Sequence, residues 1–150
     1  MTLLLEVLAA AIGTVAFSAI FGVPAKFYSY CGLIGGIGWA VYGLIIPNES
    51  VVAASFCATF VVVFLSRLAA VWKHCPVSIF LVSGIFPLVP GASVYWTAYY
   101  LVTDQVMLGL EKGYLAVKVA FAIVLGIICV FEIPQKFFKW MIWWEKKEEC

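Results

Sequence analysis

The stretch Ile85-Phe86-Pro87-Leu88-Val89-Pro90-Gly91 lies inside an apolar run from Val77 to Val102 that contains no charged residue. A run of that kind is long enough to cross a bilayer, which takes about 20 apolar residues. Yet it carries two prolines and a glycine near its centre. A proline inside a helix has no amide hydrogen, and its ring clashes with the carbonyl four residues back. The carbonyls predicted to lose their partners are those of Ser83 and Phe86. In hydrocarbon an unpaired backbone group costs several kcal/mol, so a break at that depth must be packed in protein or line a polar cavity. Broken helices near the midplane are where secondary transporters hold their solutes.

The composition fits this reading. Of the 150 residues, 65% are hydrophobic and 11% charged, whereas a soluble domain is about half apolar and a quarter charged. The chain is therefore expected to be an all-α, polytopic membrane protein whose surroundings are the lipid bilayer. A net charge of +1, with no basic cluster interleaved with stacking aromatics outside the membrane plane, gives no reason to expect nucleic acid.

Working outward from the break, proline and charge mark five spans in a single transmembrane domain over 1–150. They are 3–21, 30–46, 51–71, 77–102 (broken near 86–91) and 114–131. Gly22-Val23-Pro24 closes the first, because a residue before proline avoids the helical region. The N-terminus lacks a basic segment before its apolar run, so the first span is read as retained rather than as a signal peptide. Basic residues then set the orientation. Lys26, Arg67, Lys73, Lys136, Lys139, Lys146 and Lys147 fall on one side, and Lys112 and Lys118 on the other. That asymmetry predicts an outside N-terminus and a cytoplasmic C-terminus. The segment 134–150, with Phe137, Phe138, Trp140, Trp143 and Trp144 beside Lys136 and Lys139, is predicted to begin as an interfacial helix on the cytoplasmic surface.

Within the break, Pro90 suits the first position of a second half-helix, where a missing amide hydrogen costs nothing. The amides of Gly91, Ala92 and Ser93 would then carry the positive end of a helix dipole into the membrane, which suits a carboxylate. The expected substrate-binding residues are Ser83, Phe86, Pro87, Pro90, Gly91, Ala92, Ser93 and Tyr95. The second span is rich in glycine, and Gly32, Gly35, Gly36 and Gly38 are predicted packing positions that let helix backbones approach closely. The same span is a candidate to pack against the broken helix. Glu6 and Lys118 lie one turn inside their spans on the outer side, where they are expected to anchor at the interface or to pair.

Enzyme chemistry has no support. The single histidine, His74, cannot build a zinc site, and none of the five cysteines forms a C-x-x-C pair. There is no serine-hydrolase elbow and no phosphate-cradling glycine loop. No catalytic residue, metal site or cofactor is predicted.

Three stretches carry a resemblance. They are Phe21-Gly22-Val23-Pro24, Cys31-Gly32-Leu33-Ile34-Gly35-Gly36-Ile37-Gly38, and Ile85 through Tyr95. Together they resemble the threonine/serine exporter family, specifically its small membrane subunit. The resemblance implies export of small polar metabolites, either threonine and serine or dicarboxylates such as succinate, across the cytoplasmic membrane. It also implies a second five-span membrane subunit as partner, since in this family two five-span parts are either fused or separate. The alternative is a membrane subunit that does not transport but stabilises or targets a partner transporter.

Overall fold

The computed structural model describes residues 2–47, 49–134, 136 and 138, and the elements among them are helical. They are α1 (Thr2–Ile20), α2 (Tyr28–Ile45), α3 (Val51–Lys73), α4 (Ser78–Ile85), α5 (Gly91–Val102) and α6 (Val106–Phe131). Single 3₁₀ turns lie at Ala25–Phe27 and Phe86–Leu88. Four of the helices, α1, α2, α3 and α6, are each long and apolar enough to cross a membrane. Ser78–Leu88 and Gly91–Val102 meet that length and composition only together, and they are bent by 47° at the break between them, the shape of a broken span or of a re-entrant loop.

Local chemistry sets the ends of these helices. Ser50 caps α3 by accepting from the amide of Ala53 at 3.2 Å, as expected of a serine before an apolar run. At the end of α1, Gly22 takes φ +69°, and the amides of Gly22 and Val23 fold back onto the carbonyls of Ala19 and Ser18. That is the glycine-terminated Schellman pattern. Asp104 does the same work after α5 at φ 58°, with the amide of Gln105 on the carbonyl of Tyr100.

Helix α2 sits between α1 and α3, and α4 packs on α2 and α3. The core lies where these meet, with Cys31, Ile34, Ala58, Val62 and Phe80 all buried. A Cβ on Gly84 would come 3.0 Å from Ile34 Cγ2 and 3.1 Å from Val62 Cγ1. The broken span therefore closes tightly on both neighbours. The expectation that α2 packs against the broken helix is met through Ile34, while Gly32, Gly35 and Gly36 turn toward α1 and Gly38 meets Val62 of α3.

Helix α6 starts earlier than the sequence reading placed it, at Val106 rather than near Tyr114, and only Thr103–Gln105 separate it from α5. The sequence reading left 103–113 as a loop between spans, but one face of this segment carries Gly109 and Gly113. They pack on Leu101 and Thr97 of α5. Further along, Gly126 and Val130 bring the C-terminal half of α6 onto α3. Of the expected interfacial helix, Phe137, Trp140, Trp143 and Trp144 lie outside the described residues, and Phe138 is buried against Phe64.

Candidate functional site

The break is built by three changes of backbone in six residues. After α4, Phe86–Leu88 tighten into a 3₁₀ turn, Val89 extends to ψ 132°, and α5 opens at Gly91 behind Pro90. The tightening corrects one expectation. The carbonyls of Ser83 and Phe86 are not orphaned, because the amide of Phe86 reaches Ser83 and that of Val89 reaches Phe86 at 3.2 Å. A 3₁₀ bond skips three residues instead of four, so the turn uses amides that proline does not remove. What the break leaves open is donors. The amide of Gly91 is taken by Val89 at 2.7 Å and that of Val94 by Pro90 at 3.1 Å, while Ala92 and Ser93 have no backbone acceptor among the described residues. A site of this kind favours an anion over a cation.

The eight predicted binding residues separate into two groups. Ser83 is fully buried between α4 and α2. Phe86 turns toward α1, with its ring centroid 3.4 Å from that of Phe17 and 6.2 Å from that of Phe21. Pro87 and Pro90 are half-buried at the bend. Gly91, Ala92 and Tyr95 are exposed, and Ser93 is half-buried with its carbonyl accepting from Thr97 Oγ1 at 2.7 Å. The structure thus brings Ser83 and Phe86 to the α1–α2 side, and leaves Gly91, Ala92 and Tyr95 exposed at the start of α5 with Ser93 half-buried among them. No residue of α5 is buried.

A cleft of about 370 Å³ opens beside Ser83, lined by Phe21, Gly22, Val23, Pro24, Ser78, Ile79, Val82 and Ser83. At its inner wall the Ser83 hydroxyl donates to the Ile79 carbonyl at 3.5 Å, and the Cys31 thiol donates to the same carbonyl at 3.7 Å. Ser18 of α1 and Ser83 both lie within hydrogen-bonding reach of Cys31. Two further grooves differ in character. One of about 510 Å³ between α1 and α2 is lined by apolar and small side chains with Ser29 at its edge. The other, about 440 Å³ between α3 and α6, carries Lys118 and Ser50 at its rim.

Sequence reasoning missed Ser18 and Cys31 at this site. The signal was Thr14 and Ser18, hydroxyls spaced one turn apart in the stretch 7–20 of α1, which has no other polar side chain. Both also bond to their own helix, Thr14 to Ala10 at 2.7 Å and Ser18 to Thr14 at 2.8 Å. Glu6 and Lys118 do not pair. Glu6 accepts from the Trp39 indole at 3.4 Å, and Lys118 lies over the Tyr114 ring at 4.4 Å. Among the described residues, no three His, Cys, Asp or Glu side chains are grouped to hold a metal ion.

The profile of a family described as Threonine/Serine exporter, ThrE, matches residues 6–133. The chain belongs to the threonine/serine exporter family. The match runs from Glu6 in α1 to Ile133 beyond α6, so it takes in most of α1, all of α2 to α6, and the break. This exporter-family chain is also 36% identical over 95 residues to an uncharacterised protein of Haemophilus influenzae. The matched part is 62% of this chain and 32% of that relative, so the chain spans about a third of the relative's length. No solved structure matches.

Proposed function

We propose that this chain is a subunit of a secondary transporter that exports small carboxylate-bearing metabolites, threonine and serine or dicarboxylates such as succinate, across the cytoplasmic membrane. The observation that carries the reading is the 47° bend between Ser78–Leu88 and Gly91–Val102 in a span without a charged residue. A bend at Pro87 and Pro90 exposes the amides of Ala92 and Ser93 inside the membrane, where an uncompensated donor is costly unless a solute or a partner meets it. In this reading the substrate carboxylate is held at the start of α5, with Ser83, Ser93 and Tyr95 as the nearby hydroxyls and Phe86, Pro87, Pro90 and Gly91 as the shaping residues. Gly32, Gly35, Gly36 and Gly38 keep α2 close to its neighbours so that the assembly moves as packed units.

The second part of the reading is a partner, a further five-span membrane subunit of the same family. Its support is the open face of α5, where Tyr95, Trp96 and Tyr99 are exposed and no residue is buried. Hydroxyls of tyrosine in hydrocarbon favour protein over acyl chains as their cover. The longer relative, of which this chain matches 32%, has further chain to supply such a cover. The excess of basic residues in the loops after α1 and α3 supports an outside N-terminus and a cytoplasmic C-terminus.

The test is efflux from cells that express this chain with its companion subunit, loaded with labelled threonine, serine or succinate. Faster efflux of at least one than from cells lacking the pair is the expected result. Equal efflux of all three ends the proposal.

A further inference from the structure

We infer that the groove between α1 and α2, together with a lysine pair at its connector end, binds one anionic phospholipid. An acyl chain lies in the groove, and the lipid phosphate meets Lys26 and Lys73. The inference holds whichever solute is exported, and its test reads lipid rather than transport.

The groove has the depth of one leaflet. Its floor is made by small residues, Ala11 on α1 with Gly32 and Gly36 on α2, and its banks by the exposed side chains of Ile12, Leu33 and Ile37. It encloses about 510 Å³. On α2 it runs from Ser29 to Ala40, about 16 Å at the rise of an α-helix. Past Ala40 it stops, because Leu3 fills the space over Gly43. The hydrocarbon core of a bilayer is about 30 Å thick. A transmembrane helix would therefore seat only half of its length here, whereas an acyl chain of one leaflet fits end to end. Among the described residues that line the groove Ser29 alone is polar, and it stands at the end where such a chain joins its glycerol.

That end carries unpaired positive charge. Lys26 lies one turn before Ser29 and Tyr30, and Lys73 closes α3. The Lys73 ammonium sits 4.1 Å from the ring centroid of Trp72 and 4.7 Å from that of Tyr30, and these two rings meet edge to face at 6.0 Å. The Lys26 ammonium lies 4.9 Å from the Phe27 centroid. Both charges act on Cys75, in the turn between α3 and α4: burial raises that thiol, and Lys26 and Lys73 each pull it back. Two cations from separate parts of the chain thus converge on one corner. Among the described residues they meet rings, and neither pairs with a carboxylate. A ring face attracts a cation without neutralising it. Trp72 is 57% exposed, as suits a tryptophan at headgroup level. In the orientation proposed above this corner faces the cytoplasmic leaflet, where basic pockets between helices attract anionic headgroups. A phosphatidylglycerol phosphate supplies the missing negative charge. Phosphatidylcholine brings a cation of its own and meets the two ammonium groups less well.

The experiment uses the full chain co-purified with its companion subunit in detergent. Native mass spectrometry follows the lipid retained from an equimolar mixture of phosphatidylglycerol and phosphatidylcholine. The unmodified complex is expected to prefer phosphatidylglycerol. A lysine near the membrane surface contributes about fivefold in affinity for an anionic lipid, so Lys26→Gln with Lys73→Gln should lower the preference about thirtyfold. Lys26→Arg with Lys73→Arg should keep it. Leu33→Trp fills the groove without touching the lysines, and should lower phosphatidylglycerol retention several-fold while the companion still co-purifies. Inorganic phosphate at the lipid's concentration should not displace the lipid. Equal retention of the two lipids by the unmodified complex overturns the inference. So does a preference that survives the glutamine pair, retention untouched by Leu33→Trp, or displacement by inorganic phosphate. Loss of the companion from Leu33→Trp assigns the groove to protein and overturns it as well. Should the glutamine pair fail to purify, the two single glutamine variants, at about fivefold each, decide the same question.

Discussion

Arg67 on α3 donates from Nη1 to the carbonyl of Val130 in the last turn of α6, and the same nitrogen reaches Ile133 at 2.8 Å. The rings of Phe131 and Phe138 lie 5.3 and 4.6 Å from the guanidinium. Arg67 is 5% exposed, and no carboxylate pairs with it among the described residues. The negative end of the α6 dipole takes the place of a counter-ion. Arg67→Met is expected to lose about 2–4 kcal/mol, because carbonyls that accepted from a charged donor are left unpaired. Arg67→Lys keeps the charge without the planar fork and should lose less. Thermal unfolding in detergent measures both. A methionine variant as stable as the parent contradicts this account of the α3–α6 contact.

Thr59 gives a prediction of the opposite sign. The hydroxyls of Thr14, Ser18, Ser55 and Ser66 each bond to the carbonyl four residues back. Thr59, equally buried, has no partner for Oγ1 among the described residues. Its methyl faces the backbone of Gly126 at a spacing that leaves no room for a larger residue there. Thr59→Val keeps the shape and removes an unpaired polar atom, so it should be neutral or stabilise by about 1 kcal/mol. Thr59→Ala should destabilise by opening a gap against α6. A valine variant clearly less stable than threonine would mean that the hydroxyl has a partner in the membrane.

Gly84 is the position where the broken span approaches both neighbours at once. Gly84→Ala puts a methyl 3.0 Å from Ile34 Cγ2 and 3.1 Å from Val62 Cγ1. Neither contact is with the free end of a long side chain, so the cost is about 1–3 kcal/mol of overpacking. Val62→Ala removes one of the two clashing atoms. The double variant Gly84→Ala, Val62→Ala should then be more stable than the sum of the single effects, with a coupling that a double-mutant cycle measures. Strict additivity would place α4 elsewhere.

These three positions show where the sequence was legible. Spans read as apolar runs because hydrocarbon imposes one requirement on twenty residues at a time, and Gly22-Val23-Pro24 and Pro87 through Gly91 punctuated them at places that the backbone honours. Arg67 reads from sequence as an interfacial anchor, since a helix end and an arginine suggest snorkelling. Only the packing of α6 against α3 brings the carbonyls of Val130 and Ile133 to it. The fate of the Ser83 and Phe86 carbonyls was also beyond the pattern, because a proline removes one bond and does not say whether the chain tightens to form another. Ser18, Cys31 and Ser83 come from three helices, and no spacing rule joins them.

Cys75 reports on the α3–α4 turn. Burial pushes its thiol up from the ordinary value, Lys26 and Lys73 nearby pull it down, and Cys31 adds to the rise. A raised thiol holds less thiolate at neutral pH, and the thiolate is the reactive form. With the other cysteines changed to serine, maleimide labelling of Cys75 should be slower at pH 7 than that of a free cysteine. It should also keep rising past the pH at which free cysteine levels off. Lys26→Gln removes a charge that favours the thiolate, so the whole profile should move to still higher pH. A shift to lower pH contradicts the placement of Lys26 beside this turn.

The last prediction concerns the bend itself. Proline in a helix interior costs about 3 kcal/mol relative to alanine, so Pro87→Ala with Pro90→Ala favours one continuous helix from Ser78 to Val102. Straightening moves α5 relative to α4 by the 47° that now separates them. It also gives the amides of Ala92 and Ser93 the carbonyls four residues back, Leu88 and Val89, as partners. The double variant should assemble with its companion and lose efflux of threonine and serine by an order of magnitude or more. A chain that only stabilises a partner transporter would behave differently, since its packing faces at Ile34, Val62 and Gly84 lie on the α4 side of the bend and are retained. Such a chain would keep efflux after both substitutions and lose it only when it is deleted. Measuring efflux, together with co-purification of the companion, in the double variant and in the deletion separates the two. Wild-type efflux from the double variant would remove the break from the transport route.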